Sequence, residues 1–412
     1  MLEGVLKWRS KGGGEIGKVL VCDALMGSGK TSAAMRKMAD GGKYLYITPF
    51  LSEVQRVAER LGFAEPEMRN GHGKFDDLKY LLRRGKSVAS THALLKKYDD
   101  EVAELLRQGG YTLVLDEVLN VLDKVVVGQT DVRMLRQVGA ISVAEDGSVR
   151  WEWGDYGKDG LFAQLRNTID GCNVLASGDN LLLWLFPVGL FAALRETIIL
   201  TYQFAAQTQR MYFDMFGIEY ERIGVAKIDG EYQFCAAEDS VEDRSGLRER
   251  VHILQKPKLN EIGDPRYALS MSWFEREGTG GVPRLKKNMY NVMHNIYRAS
   301  SKDVLWTTYK EQEAALSGRG YAGGFLPFNT RSVNEFGDRH YLLYGANIFM
   351  NAGVRSLFRS LGVEVDEEQY ALSMMLQWLW RSAIRNGEDI YIYVPSSRMR
   401  HLLEDWLSET GA

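Results

Sequence analysis

The run Val19-Leu-Val-Cys-Asp-Ala-Leu-Met-Gly-Ser-Gly-Lys-Thr31, continued by Ser32-Ala-Ala-Met-Arg-Lys-Met38, leaves this chain little choice of local structure. The apolar stretch with its β-branched valines reads as a buried strand, and the segment after Thr31 reads as a helix. Between them, Gly27 and Gly29 let the backbone wrap closely around an anion. Successive N–H groups and a helix N-terminus then face phosphate oxygens. Gly27, Ser28, Gly29, Lys30, Thr31 and Ser32 are the expected nucleotide contacts. Lys30 is expected to stand exposed at the loop and bring charge to the terminal phosphates, and the Thr31 hydroxyl is expected to hold Mg²⁺. The usual spacing is Gly-x4-Gly-Lys-Ser/Thr. Ala24 occupies its first position here.

A second apolar strand, Tyr111-Thr-Leu-Val-Leu115, delivers Asp116 and Glu117 at its C-terminal end. Asp-Glu after such a strand is common by itself, but paired with a phosphate loop upstream it completes a nucleotide hydrolase site. Asp116 is expected to bind Mg²⁺, directly or through water, and Glu117 to polarise the attacking water.

The surrounding pattern alternates strand and helix. Tyr44 to Thr48 reads as a strand closed by Pro49, followed by a helix through Leu51, Val54, Val57 and Leu61 with Ser52 near its start. Ser87 to Thr91 and Thr197 to Tyr202 read as further strands, and hairpins are predicted over 141–153 and 226–234. Beyond about residue 205 come a helix over 209–216, a basic amphipathic helix over 283–298 and a strand over 303–308. The spacing over 370–385 predicts one helix. Leu372, Met375, Leu376, Leu379 and Ala383 fall on one stripe, and Gln377, Arg381 and Arg385 on the opposite one. Such arginines commonly serve a solvated face. Inside an α/β unit they can instead look into a cleft and stabilise charge on a transferring γ-phosphoryl.

At 412 residues the chain has room for two ordinary domains, divided here into 1–205 and 206–412. With 51 basic and 54 acidic residues, the net charge of −3 gives no global sign of a nucleic-acid partner, so any basic surface is local. Cys22, Cys172 and Cys235 stand apart, which speaks against a disulfide framework or a zinc site and fits a reducing compartment. The run Leu181 to Pro187 is too short to cross a bilayer, and Met1-Leu-Glu-Gly does not open a signal peptide. A cytoplasmic protein with no membrane partner is expected. Trp8, Arg9 and Gly12 to Gly14 read as a partly packed or frayed N-terminus.

In order and spacing, these motifs resemble those of superfamily 2 helicases of the DEAD/DEAH type, over nearly the whole chain and in the form carried by bacteriophages. Ala24 to Thr31 matches motif I, and Thr48-Pro49 with Ser52 resembles motif Ia. Ser90-Thr91 lies where motif Ib belongs, and Asp116-Glu-Val-Leu119 resembles the Asp-Glu box of motif II. Leu200-Thr-Tyr202 takes the place of motif III without the usual Ser-Ala-Thr, and Trp306-Thr-Thr308 falls near motif IV. Asn329-Thr-Arg331 with Asn334 resembles motif V. Gln377, Arg381 and Arg385 resemble motif VI, with Trp380 in place of its Gly and the last Arg one position late.

The resemblance implies an α/β fold of two tandem RecA-like parallel-sheet domains, with ATP and Mg²⁺ in the interdomain cleft and nucleic acid, DNA before RNA, lying across both. It implies an ATP-dependent helicase or translocase serving phage DNA replication or recombination. Catalysis then falls to Lys30, Glu117, Gln377, Arg381 and Arg385. Backbone contacts fall to Thr48, Pro49, Ser52, Thr91, Thr308, Thr330 and Arg331. Hydroxyls and N–H groups can hold phosphates without raising net charge, which reconciles an acidic chain with a polyanion. Two other classes share motifs I and II. A metabolic phosphate-loop NTPase needs neither the second domain nor the arginine stripe. A viral DNA-packaging ATPase needs clustered acids at strand ends, whereas Asp303, Asp338 and Asp389 are scattered.

Overall fold

The alternation of apolar strands and amphipathic helices is realised as two parallel sheets. The computed structural model describes residues 15–68, 71–145, 147–156, 159–170, 173–179, 181–277, 280–330 and 335–409. Trp8, Arg9, Cys172, Arg331 and Asn334 lie outside them. The chain divides into two units. The first takes the chain up to Ala24, then Ser28–Ser240 and Asn351–Val365. The second takes Leu25–Gly27, Val241–Met350 and the chain from Asp366 onward.

In the first unit, β1 (Lys18–Asp23), β2 (Tyr44–Thr48), β3 (Val88–Thr91) and β4 (Thr112–Asp116) are the expected buried strands. After β4 the chain builds a separate small module from β5 (Leu122–Lys124), β6 (Ile141–Val143), β7 (Val149–Trp151), β8 (Val174–Ser177) and β9 (Leu181–Leu185). Here β5, β9 and β8 form one antiparallel sheet, and β6 and β7 form the hairpin expected over 141–153. Val132, Leu135, Ile141, Leu165 and Val174 make its own core. The main sheet resumes with β10 (Glu196–Thr201) and closes with the hairpin β11 (Glu221–Ile228) and β12 (Glu231–Ala236). Its order is β12-β11-β1-β10-β4-β2-β3, parallel throughout except for β12. The sheet thus continues past residue 205, because β11 pairs with the edge of β1 that β10 leaves open.

Side chains alternate across a strand, so one face of this sheet gathers Cys22, Tyr44, Tyr46, Val114, Ile198 and Leu200. Helix Lys30–Met38 lays Ala33, Ala34, Met35 and Met38 onto that face. Residues 351–365 join the same unit. Helix Ala352–Ser360 buries Val354, Leu357 and Phe358. The Ser177 hydroxyl donates to the Gly353 carbonyl at 2.9 Å, and the Arg210 guanidinium donates to the Glu364 carbonyl at 2.9 Å.

The second unit holds β13 (Val251–Ile253), β14 (Val304–Thr307), β15 (Tyr341–Tyr344) and β16 (Ile390–Tyr393), all parallel in the order β13-β16-β15-β14. The basic amphipathic helix appears as Gly281–Asn291, extended by a π-helical turn over Val292–Ile296, with Leu285, Met289, Val292 and Met293 in the core.

The helix predicted over 370–385 is shorter than expected. It runs Glu367–Leu379, and a separate 3-10 turn covers Ala383–Asn386. Between them Ser382 is extended, with φ −92° and ψ −173°. Its hydroxyl donates to the Leu379 carbonyl at 2.6 Å, and the Ala383 N–H donates to the Arg339 carbonyl at 3.0 Å. A serine hydroxyl competing for a helix-end carbonyl, with a tertiary acceptor for the next N–H, stops the helix where periodicity alone would continue it. The opposed stripe of Gln377, Arg381 and Arg385 therefore does not form on one helix. Gln377 is half-buried on the helix, Arg381 is half-buried beyond it, and Arg385 is exposed on the turn. Among the described residues, no helix is long and apolar enough to cross a membrane.

Candidate nucleotide-binding site

Asp23, Thr48, Thr91, Asp116 and Thr201 are the last residues of five parallel strands, so the first sheet presents them along one edge. In open α/β sheets that carboxyl edge is where ligands bind. The chain leaves β1 through Ala24, whose N–H donates to the Thr201 carbonyl at 3.1 Å, so the loop starts from a fixed point. Gly27 and Gly29 take φ +82° and +91°, the left-handed region that side chains resist. Gly29 is doubly constrained, since a Cβ there would lie 2.3 Å from the Tyr232 ring. The helix then begins at Lys30, with the Ala33 N–H donating to the Gly29 carbonyl at 3.0 Å.

Lys30 is thus the first helical residue and half-buried, rather than exposed on a loop. Its ammonium folds back to donate to the Ala24 carbonyl at 2.5 Å. Burial lowers its pKa below the ordinary lysine range, against the opposing pull of Glu117, Cys22, Asp116 and Asp23. Burial likewise raises the Asp23 carboxyl, which accepts the Phe204 N–H at 3.0 Å, and pushes the Cys22 thiol up to about 12.

The Thr31 hydroxyl donates to Asp116 Oδ2 at 3.0 Å, across 85 residues of sequence. Tyr46, buried in the same face, donates to that oxygen at 2.6 Å. Glu117 follows with φ +82°, a conformation that costs a non-glycine residue, and its N–H donates to the Leu200 carbonyl at 3.0 Å. Gln209, fully buried, accepts the Leu119 N–H at 2.7 Å and so holds the segment after the acidic pair. Neither Tyr46 nor Gln209 carried a sequence signal beyond its place in a strand or helix.

These residues suit a magnesium nucleotide. A hydroxyl and a carboxylate sharing one hydrogen bond are hard oxygen donors, and Mg²⁺ is commonly held by one or two carboxylates with substrate phosphates completing the shell. The Ser28 hydroxyl is buried with no hydrogen-bond partner among the described residues, as expected of a group that a phosphate would satisfy. Among the described residues, no cluster of three or more His, Cys, Asp or Glu is placed to hold a metal by itself.

The remaining expected residues divide. Thr48 and Thr91 are register partners at the ends of β2 and β3, and Ser52 is exposed on the helix that follows Pro49. Thr48 is fully buried, whereas Pro49 and Thr91 are half-buried. Thr308 is fully buried, and its hydroxyl donates to the Gly345 carbonyl at 3.1 Å. Thr330 is half-buried.

Comparison with known proteins gives a full-length relative. The SPbeta prophage-derived uncharacterized protein YonV of Bacillus subtilis (strain 168) is 39% identical over 412 residues, covering 95% of this chain and 98% of its own. The chain belongs to the YonV family. Residues 245–407 match the family model described as the YonV C-terminal Rossmann-like domain. That description agrees with the all-parallel sheet β13-β16-β15-β14 of this YonV-family chain. Among solved structures, the S. tokodaii Xpd4 structure aligns with a TM-score of 0.47 at 13% identity, covering 98% of this chain and 97% of that one. A structure titled XPD_Helicase aligns with a TM-score of 0.42 at 12% identity, covering 99% and 97%.

Proposed function

We propose that this chain is a nucleic-acid-stimulated ATPase, a helicase or translocase of the superfamily 2 type. The observation that carries the hydrolase part is the Thr31–Asp116 hydrogen bond, which brings the phosphate loop and the acidic pair into one site. Thr31 and Asp116 hold Mg²⁺, which supplies charge stabilisation to the phosphates when bound. Lys30 leaves the Ala24 carbonyl for the terminal phosphates, and the left-handed backbone at Glu117 aims its carboxylate at the attacking water. Arg381, beyond the helix end, and Arg385, on the turn, stabilise charge on the transferring γ-phosphoryl, with Gln377 of the helix as the third catalytic residue. The two parallel-sheet units serve as RecA-like domains.

Nucleic acid as the second ligand is supported by the motif order and by the hydroxyls at the edge of the first sheet. Ser52 is exposed and Pro49, Thr91 and Thr330 are half-buried among the proposed backbone contacts. A prophage relative fits a role in phage DNA metabolism. The test is ATP turnover by the purified full chain with single-stranded DNA, duplex DNA and RNA. We expect DNA to raise the rate severalfold or more. Hydrolysis indifferent to every nucleic acid would favour a metabolic phosphate-loop enzyme, and no hydrolysis at all would remove the reading.

A further inference from the structure

A buried tyrosine hydroxyl is costly to leave without an acceptor, and Tyr111 and Tyr212 meet that need with a backbone carbonyl at 2.9 and 2.7 Å. Tyr46 does otherwise. It lies on β2 beside Val114 of β4, and both point to the same sheet face. Asp116 is two residues beyond Val114 and so shares that face. The Tyr46 ring therefore runs along the sheet toward the strand end, and its hydroxyl meets Asp116 Oδ2 at 2.6 Å. The Thr31 hydroxyl meets the same oxygen. One carboxylate oxygen thus accepts a hydrogen bond from the phosphate-loop motif and another from a neighbouring strand.

We infer that Tyr46 is the positioning residue for the Mg²⁺-binding carboxylate, an inference that rests on the nucleotide-site reading above. Two donors on Oδ2 stop the carboxylate from rotating about its Cβ–Cγ bond, and the charged hydrogen bond makes Asp116 a fixed, pre-oriented ligand. Outer partners of this kind set metal affinity, and their removal typically weakens it by about 10- to 100-fold. Tyr46 is fully buried, so it acts through Asp116 and does not touch the nucleotide.

The test is Tyr46→Phe in the full chain, which keeps the ring and removes only the hydroxyl. ADP affinity is measured by calorimetry with Mg²⁺ titrated in, and again with the metal chelated. We expect the Mg²⁺ concentration for half-maximal tightening to rise by about 10-fold or more, with metal-free ADP affinity unchanged. Mn²⁺ binding followed by electron paramagnetic resonance should weaken in parallel. A loss of ADP affinity equal with and without metal would make Tyr46 merely structural and overturn the proposal. Unchanged Mg²⁺ dependence would overturn it too, while leaving the nucleotide site intact. If the wild-type chain itself bound no magnesium nucleotide, both readings would fail together. Should Tyr46→Phe fold poorly, Asp116→Asn with Tyr46 retained gives the second arm. It must lose Mg²⁺ dependence while keeping metal-free ADP affinity, and if Mg²⁺ dependence survives there, Asp116 is not the ligand and the proposal falls.

Discussion

The ring of Tyr232 occupies the space that a side chain on Gly29 would need, 2.3 Å from an ideal Cβ. A Cβ on Gly27 would meet nothing within 4 Å, although both glycines have positive φ. Gly27→Ala therefore carries the backbone penalty alone, roughly 1–2 kcal/mol, whereas Gly29→Ala adds a clash with the β12 hairpin. Melting temperatures of the two variants should differ, with Gly29→Ala clearly the lower, and it should also lose nucleotide binding. Equal losses would mean that Tyr232 moves aside freely.

Lys30 sits on the Ala24 carbonyl with its charge disfavoured by burial. Lys30→Met keeps the apolar stem and removes the charge. It should leave the circular dichroism spectrum unchanged and cut ATP turnover by on the order of 10²-fold or more. Retained turnover would remove the phosphate-loop assignment.

Glu117 holds φ +82°, a region where glycine is relaxed and other residues are strained by roughly 1–2 kcal/mol. Glu117→Gly should raise the melting temperature while abolishing hydrolysis, which would place the strain in the service of activity. Glu117→Gln keeps the shape and should bind magnesium ATP normally without turning it over. A fall in nucleotide affinity as large as the fall in rate would make Glu117 a metal ligand or a structural residue.

Arg381 lies beyond the end of the helix and Arg385 on the following turn. We expect Arg385→Ala to collapse the nucleic-acid-stimulated rate by on the order of 10³-fold with little change in ATP affinity. Arg381→Ala should show a loss of the same kind. Near wild-type rates in both would leave the transition-state charge to other groups.

In the second unit His340 bridges two carboxylates, Asp303 Oδ1 at 3.2 Å and Glu388 Oε2 at 2.9 Å. Partial burial lowers its pKa, but the two acids outweigh that and raise it above the usual 6.5. A raised folded-state pKa means the bridge contributes fully below the unfolded value and is lost as pH rises through the folded value. The melting temperature should decline on going from mildly acidic to mildly alkaline pH, and His340→Gln should flatten that decline. A wild-type profile as flat as the variant's would show that the bridge contributes no pH-dependent stability.

Much of this was legible because its signals are local. Two glycines, a lysine and a threonine between a valine-rich strand and a helix announce their geometry, and an acidic pair after an apolar strand announces where it ends. Tyr46 was not legible. A tyrosine at an alternate strand position looks like any core aromatic, and only the pairing of β2 with β4 brings it to Asp116. The break at Trp380 was hidden for the opposite reason. The periodicity through Leu379 is strong, and the acceptor that ends it, the Arg339 carbonyl, lies 44 residues earlier in the chain.

The return of residues 351–365 to the first unit has a consequence for biosynthesis. A ribosome delivers everything up to Ser240 well before it delivers Val354, Leu357 and Phe358. Until then the nascent first unit presents an unfilled apolar seam beside β8. The first unit cannot be finished until residues 351–365 have emerged. A chain broken after residue 240 would leave the exit tunnel as a client for chaperones rather than as a free-standing module.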